Sequence, residues 1–162
     1  SVPFWSVNSR KQPVMTVVTF LFHLCLLVAP LFVMAHVILW EEGPLGLSWI
    51  TLPDHVADTM SWIVIAACCY FLFRRLTHPV AKYVTSVSDF VILAIVAAPF
   101  ITGVMAYHQW GDSLFITTLH IFSGEVMLAA IPFTRLSHML YAPFVRGYTG
   151  SEFGAVRRVK DW

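Results

Sequence analysis

The chain has 162 residues, 58% of them hydrophobic and only 12% charged, with a formal net charge of +1. The charged share is about half that of a soluble domain, which excludes an ordinary soluble globular protein. The high hydrophobicity excludes a disordered chain, and the near-neutral charge balance argues against nucleic-acid binding. An all-α integral membrane protein remains, with room for four or five helices at about 20 apolar residues each.

Residues 1–12 are polar and aromatic, with Arg10 and Lys11 just before the first apolar run. They lack the short apolar stretch and small-residue cleavage site of a signal peptide. A first helix is expected over 14–40. It is uncharged, carries His23 and His36, and has Pro30 near its middle, where a proline bends a membrane helix. The turn-rich acidic segment EEGPLGLSWITLPD follows. A second helix is expected over 56–76, closed by Arg74 and Arg75. A third is expected over 84–107 with Asp89, Pro99 and Gly103. After the turn His108–Asp112, a fourth is expected over 113–141 with His120, Glu125, Pro132, Arg135 and His138. These runs are continuously apolar and long enough to span as helices, whereas membrane-barrel strands alternate in polarity. The expected architecture is a four-transmembrane-helix bundle in residues 1–143 and a basic tail in 144–162.

Cys25, Cys68 and Cys69 lie inside apolar runs and form no CxxC or zinc spacing. The vicinal Cys68–Cys69 pair admits a thiol-redox reading, set against cysteine as small apolar filler in a buried helix.

Threading four crossings places all ten basic residues on one side. The two opposite loops hold Glu41, Glu42, Asp54, Asp58 and Asp112, and no Lys or Arg. By the positive-inside rule both termini are cytoplasmic, and Trp40, Trp49 and Trp110 fit an aromatic belt on the outer face.

Seven histidines in so apolar a chain demand a reason, because ionisable groups in a bilayer are costly and tend to be functional. Imidazole is a standard axial ligand of haem iron. Depth counted along the helices pairs His36 with His120 near the outer surface and His23 with His138 near the inner one. His120 and His138 are 18 residues apart, about five whole turns, and so share a face of an ideal helix. His23 and His36, 13 residues apart, fall about 140° from each other on an ideal helix; tilt and the Pro30 bend are expected to absorb part of the misfit. Taken singly, each histidine also fits a polar residue hydrogen-bonding between helices. His55, His78 and His108 sit at helix or loop ends.

Thr118-Leu119-His120 with Ile131-Pro132-Phe133-Thr134-Arg135-Leu136-Ser137-His138-Met139 and Pro143 resembles the last helix of respiratory nitrate reductase gamma subunits. That family is similar in turn to the dihaem membrane cytochromes b of heterodisulfide reductase and of sulfate-reducer redox complexes. The resemblance continues in Leu21-Phe22-His23, Leu52-Pro53, Phe73-Arg74-Arg75 and Ser88-Asp89-Phe90-Val91-Ile92-Leu93, and covers most of residues 14–143. It implies two b haems, with His23 and His138 on the inner iron and His120 on one side of the outer iron. His36 stands about one turn beyond the family's second outer ligand, where Val33 falls, which leaves His108 and His55 as alternatives. The family usually has a further helix ahead of the histidine-bearing one. Its lack here and the FGAVRRVKDW tail lean the expectation toward a heterodisulfide-reductase-like or sulfate-respiration complex.

The resemblance further implies an electron conduit in a prokaryotic cytoplasmic membrane, between the quinone pool (menaquinone) and a cytoplasmic iron–sulfur subunit. An outer-face multihaem cytochrome c is a further partner it allows. Candidate quinone and proton groups are His55, Asp58, His108 and Glu125; the last could equally be hydrogen-bonded between helices. The family's basic residue at the start of the following helix has no counterpart in His55-Val56-Ala57-Asp58. Asp89 is expected to cap a helix or to pair with Arg75, and Arg135 and the tail to contact the cytoplasmic partner. Other classes stay open: a haem-free membrane anchor, a small proton-coupled transporter and a thiol–quinone oxidoreductase.

Overall fold

The computed structural model describes residues 11–152, which are almost entirely helical and contain no β-strand. Four helices are long and apolar enough to cross a membrane: α1 (Pro13–Phe32), α3 (Asp54–Thr77), α5 (Val87–Tyr107) and α6 (Ser113–Phe133). Shorter helices are α2 (Met34–Glu41), α4 (Pro79–Val84) and α7 (His138–Thr149), the last preceded by a 3-10 turn, Arg135–Ser137.

Local chemistry sets the helix starts. Pro13 opens α1 at a position where a missing N–H costs nothing. Asp54 begins α3 and Arg74 and Arg75 end it, each sign at the favourable end of the helix dipole. Ser86 and Asp89 form a reciprocal capping box on α5. The Asp112 carboxylate accepts the Phe115 N–H at 2.7 Å and caps α6. Gly111, at φ +95°, takes the left-handed conformation that lets the tight turn between α5 and α6 close.

Polar contacts sort the helix ends into two sets. Gln12 meets Arg74, and Asp89 meets Arg75 and Arg135, so the start of α1, the end of α3, the start of α5 and the end of α6 lie together. At the other end Asp58 meets His108 and Leu52 meets Phe32. The four long helices therefore run alternately up and down, with Lys11, Arg74, Arg75, Lys82 and Arg135 at one end. Glu41, Glu42, Asp54, Asp58 and Asp112 are at the other, where Trp40 lies 6.4 Å from Trp49 and Trp62 6.4 Å from Trp110. Arg10, Arg157, Arg158 and Lys160 lie outside the described residues, as does the side chain of Arg146.

The core is built by α1, α3 and α5. Phe22, Cys25 and Ala29 pack with Val64, Ala67, Cys68, Val96 and Phe100. Small residues at these contacts let the backbones approach closely, which is what binds helices in lipid. Cys68 is buried here as apolar filler and its neighbour Cys69 is exposed. Packing runs in the order α1, α3, α5, α6. The arc stays open: α6 is joined to α5, buries only Ile116 and Ser123, and does not pack along α1 as the other neighbours do.

Two expected helices prove to be broken. The first stops at Phe32; Val33 is extended (φ −66°, ψ 132°) and α2 restarts at Met34. Within the span expected over 113–141, α6 stops at Phe133, Thr134 is extended (φ −129°, ψ −179°), and α7 carries on to Thr149, beyond the point where a tail was expected to begin. A break inside a membrane span strips carbonyls of their helical donors, and buried carbonyls must find others. At the first break they do. The Pro30 carbonyl accepts from His36 Nδ1 (2.8 Å), that of Leu31 from Trp49 Nε1 (2.8 Å) and that of Phe32 from the Leu52 N–H (2.8 Å). The loop over residues 42–53 is thus folded back to repair the break.

Trp49→Phe keeps an aromatic ring and removes the indole N–H. It is expected to destabilise the protein by about 1 kcal/mol, read as a lower thermal midpoint in detergent. An unchanged midpoint would show that the Leu31 carbonyl does not depend on Trp49.

Candidate functional site

Four histidines meet in two pairs across the open side of the arc. His23 on α1 and His138 at the start of α7 have ring centroids 5.9 Å apart and planes at 80°. His36 on α2 and His120 on α6 have centroids 5.9 Å apart and planes at 17°. These are the pairings that depth counting expects. The break at Val33 is what permits the second: it resets the helical phase between His23 and His36, so the 140° misfit of a continuous helix does not arise. The fourth expected span differs in the same way. His120 and His138 do not stand on one continuous helix, because Thr134 and the 3-10 turn intervene.

Each ring is anchored through the same atom. Nδ1 lies 2.7 Å from the Thr19 carbonyl in His23, 2.8 Å from that of Pro30 in His36, 2.9 Å from that of Pro99 in His120 and 2.7 Å from that of Arg135 in His138. A carbonyl only accepts, so Nδ1 carries the proton in every case and the lone pair of the neutral ring lies on Nε2. This is the second-sphere arrangement that orients metal-bound histidines and raises their basicity.

The surroundings of His120 are tailored to its ring. Gly103 faces it so closely that a Cβ there would stand 3.0 Å from His120 Cε1. Thr102 Oγ1 lies 3.3 Å from His120 Nδ1 and 3.2 Å from Ser123 Oγ, joining α5 to α6 beside the ring. On α1, one turn from His23, the Thr19 hydroxyl is buried with no hydrogen-bond partner. A buried polar atom without a partner marks a place where a further group or a water belongs.

The donor chemistry fits haem. Among the described residues no three His, Cys, Asp or Glu side chains converge as a metal group; the imidazoles come in twos, the axial number for a haem iron. Imidazole–metal bonds of about 2 Å put two rings sharing one axial line about 6 Å apart between centroids. Both observed separations match that figure, and the side of α6 toward α1 is left without helix packing.

The remaining sequence candidates fall elsewhere. His108 and Asp58 meet at the acidic end, with His108 Nε2 3.2 Å from Asp58 Oδ1. Trp110 stacks on His108 at 5.2 Å and Tyr107 meets its edge at 5.0 Å. His55 and His78 are exposed at helix ends; the structure brings neither into the two pairs, nor His108. Glu125 is exposed on α6. At 100° per residue it points nearly opposite to Ser123 and Ile116, the residues that face α5. It does not lie between helices, which corrects that expectation. Asp89 serves both roles expected of it, capping α5 and pairing with Arg75, and also binds Arg135 at 2.7 Å. Arg135, expected to contact a partner, pairs with Asp89 within the chain while its side chain stays exposed. That bond joins residues 46 positions apart, and no local pattern signals it.

The chain is 38% identical over 157 residues to a protein of Nitratidesulfovibrio vulgaris (strain Hildenborough) whose curated name is simply "Protein"; the match covers 97% of this chain and 69% of that one. The chain belongs to the family of that protein. No family model matches it, and neither does any solved structure.

Gly103→Ala would gain up to about 1 kcal/mol from reduced backbone freedom. It would lose about 1–3 kcal/mol by overpacking against the His120 ring, so net destabilisation is expected. In 15N-histidine NMR spectra the His36 and His120 resonances should move while those of His23 and His138 stay. Movement of all four, or of none, would contradict the close fit.

Proposed function

We propose that this chain is a dihaem membrane cytochrome b of the kind found beside respiratory nitrate reductases and heterodisulfide reductases. It would lie in a prokaryotic cytoplasmic membrane with the basic end and both termini inside. It would connect the menaquinone pool to a cytoplasmic iron–sulfur subunit. The observation that carries this reading is the two imidazole pairs, His23 with His138 and His36 with His120, each ring anchored through Nδ1 with its lone pair left on Nε2.

His23 and His138 would hold the inner haem, and His36 and His120 the outer one. When bound, each haem supplies a one-electron carrier whose potential depends on its axial ligands, their hydrogen bonds and its burial. The chain's own contribution is orientation. Four backbone carbonyls fix the four rings, and the Thr102–Ser123 bond and Gly103 hold His120 against α5.

Quinol oxidation releases protons as well as electrons, and quinone reduction takes them up. The His108–Asp58 pair at the acidic end is suited to this exchange, because the carboxylate lies within hydrogen-bond reach of the imidazole and orients it. The indole stacked on His108 offers a flat apolar surface for a quinone ring. The cytoplasmic partner is drawn by the basic end; of the expected contact segment GYTGSEFGAVRRVKDW, the part from Phe153 onward lies outside the described residues. An outer multihaem cytochrome c remains a partner allowed by the resemblance alone.

A reduced-minus-oxidised visible spectrum of the purified protein is expected to show a b-type alpha band at two haems per chain. His138→Ala and His120→Ala should each lower the ratio to one, and His55→Ala should leave it at two. Absence of the band, or full haem retention in His138→Ala, would overturn the reading. Asp58→Asn is expected to slow quinol-driven haem reduction about a hundredfold with haem content unchanged. An unaltered rate would remove the His108–Asp58 pair from proton transfer.

A further inference from the structure

We propose that Asp89, acting through Arg135, is a positioning residue that sets the plane of the His138 ring; this rests on the reading of His138 as an axial ligand of the inner haem. His138 follows an irregular stretch of backbone. α6 has ended at Phe133, Thr134 is extended, and a single 3-10 turn leads into the ligand. Such turns have poorer hydrogen-bond geometry than an α-helix. His23, by contrast, sits inside the regular helix α1 and is anchored one turn back on Thr19.

The missing rigidity is supplied from α5. Asp89 is only 8% exposed, and both of its carboxylate oxygens are engaged. Oδ2 accepts from the Ser86 N–H at 2.8 Å and from the Ser86 hydroxyl at 2.9 Å. Oδ1 accepts from Arg135 Nη1 at 2.7 Å, with Arg75 Nη1 at 3.4 Å. The other arm of the Arg135 fork reaches Ser88 Oγ at 2.8 Å and Ser86 Oγ at 3.3 Å. A guanidinium held at both forks is fixed in orientation as well as position. The backbone carbonyl of the same Arg135 accepts His138 Nδ1 at 2.7 Å. One residue therefore joins the α5 cap to the ligand ring, and the carboxylate holds the residue.

The two pairs differ in ring geometry. The inner pair has planes at 80° and the outer pair at 17°. In a low-spin ferric haem, near-perpendicular axial imidazoles leave two iron orbitals almost equal in energy and give a strongly anisotropic electron paramagnetic resonance with one very large g value. Near-parallel imidazoles separate those orbitals and give a rhombic signal. The inner haem should carry the first signal and the outer haem the second.

The test is resonance spectroscopy with a redox titration on the detergent-solubilised full chain, comparing wild type with Asp89→Asn, Asp89→Glu and Arg135→Lys. Asp89→Asn is expected to keep both haems, to shift or broaden the large-g signal and to shift the midpoint of that haem, with the rhombic signal unmoved. Asp89→Glu should restore part of the wild-type signal. Arg135→Lys leaves the α5 cap intact, so it tests the clamp should Asp89→Asn fail to fold, and it should move the same signal. A large-g signal unchanged in every variant that retains two haems overturns the role. So does equal movement of both signals, which would mean a general loosening of the bundle. A wild-type protein without a b-type band overturns the haem reading itself, and this role with it.

Discussion

A backbone carbonyl inside a bilayer has no water to accept from, so every irregularity in a spanning helix must be repaired by a donor within the protein. Much of this bundle follows from that constraint. At Val33 the first span breaks and three carbonyls lose their helical partners; His36, Trp49 and Leu52 supply the replacements. A histidine used in this way commits its Nδ1–H and keeps a lone pair on Nε2. Structural repair and capacity to bind a metal are therefore two sides of one tautomer. The same coupling recurs at the Arg135 carbonyl in the 3-10 turn, whereas His120 is anchored across to the Pro99 carbonyl of the continuous helix α5. Two of the four paired histidines, His36 and His138, are thus anchored where the chain departs from regular helical geometry.

The break also answers a geometric question that composition cannot. Thirteen residues on an unbroken helix would turn His36 away from His23 by about 140°, and a smooth bend at Pro30 changes axis direction more than phase. A single extended residue changes phase outright. Val33 does so at the cost of three intrahelical bonds, and the loop over residues 42–53 returns them. That explains why a loop of turn formers and apolar residues carries Trp49 and Leu52 at the points where α1 ends. It forms part of the support of the His36–His120 pair, reaching the same run of carbonyls that anchors His36.

The large-scale organisation was legible because charge obeys a simple electrostatic rule. Basic residues on one side and acids on the other mark the two ends, and four long apolar runs with two ends allow one alternating path. Once each helix has a direction, histidine depth follows from the rise per residue, and the two ring pairs follow from depth. What stayed hidden depends on tertiary contacts. Neither break is marked by a glycine, and the nearest prolines, Pro30 and Pro132, precede the breaks by two or three residues. The ion pair of the exposed Arg135 was hidden because its partner lies 46 residues away. Glu125 could not be assigned a direction until Ser123 and Ile116 showed which side of α6 faces α5.

The position of α6 joins these points. Its start is fixed by the short capped turn from α5 and its end by the Arg135–Asp89 bond, whereas between them it leans on α5 alone and touches the α1 side through histidine rings. A helix held at both ends with one side unpacked lacks the close contacts that drive helix association in lipid. Under the proposed reading that side is filled by the group the rings hold. A group that binds only the assembled arc stabilises it by mass action, so cofactor binding and closure of α6 against α1 become a single equilibrium. The clamp at Asp89 then has a second consequence. By fixing the end of α6 before anything binds, it reduces the disorder that binding must remove, and it places His138 opposite His23 in advance.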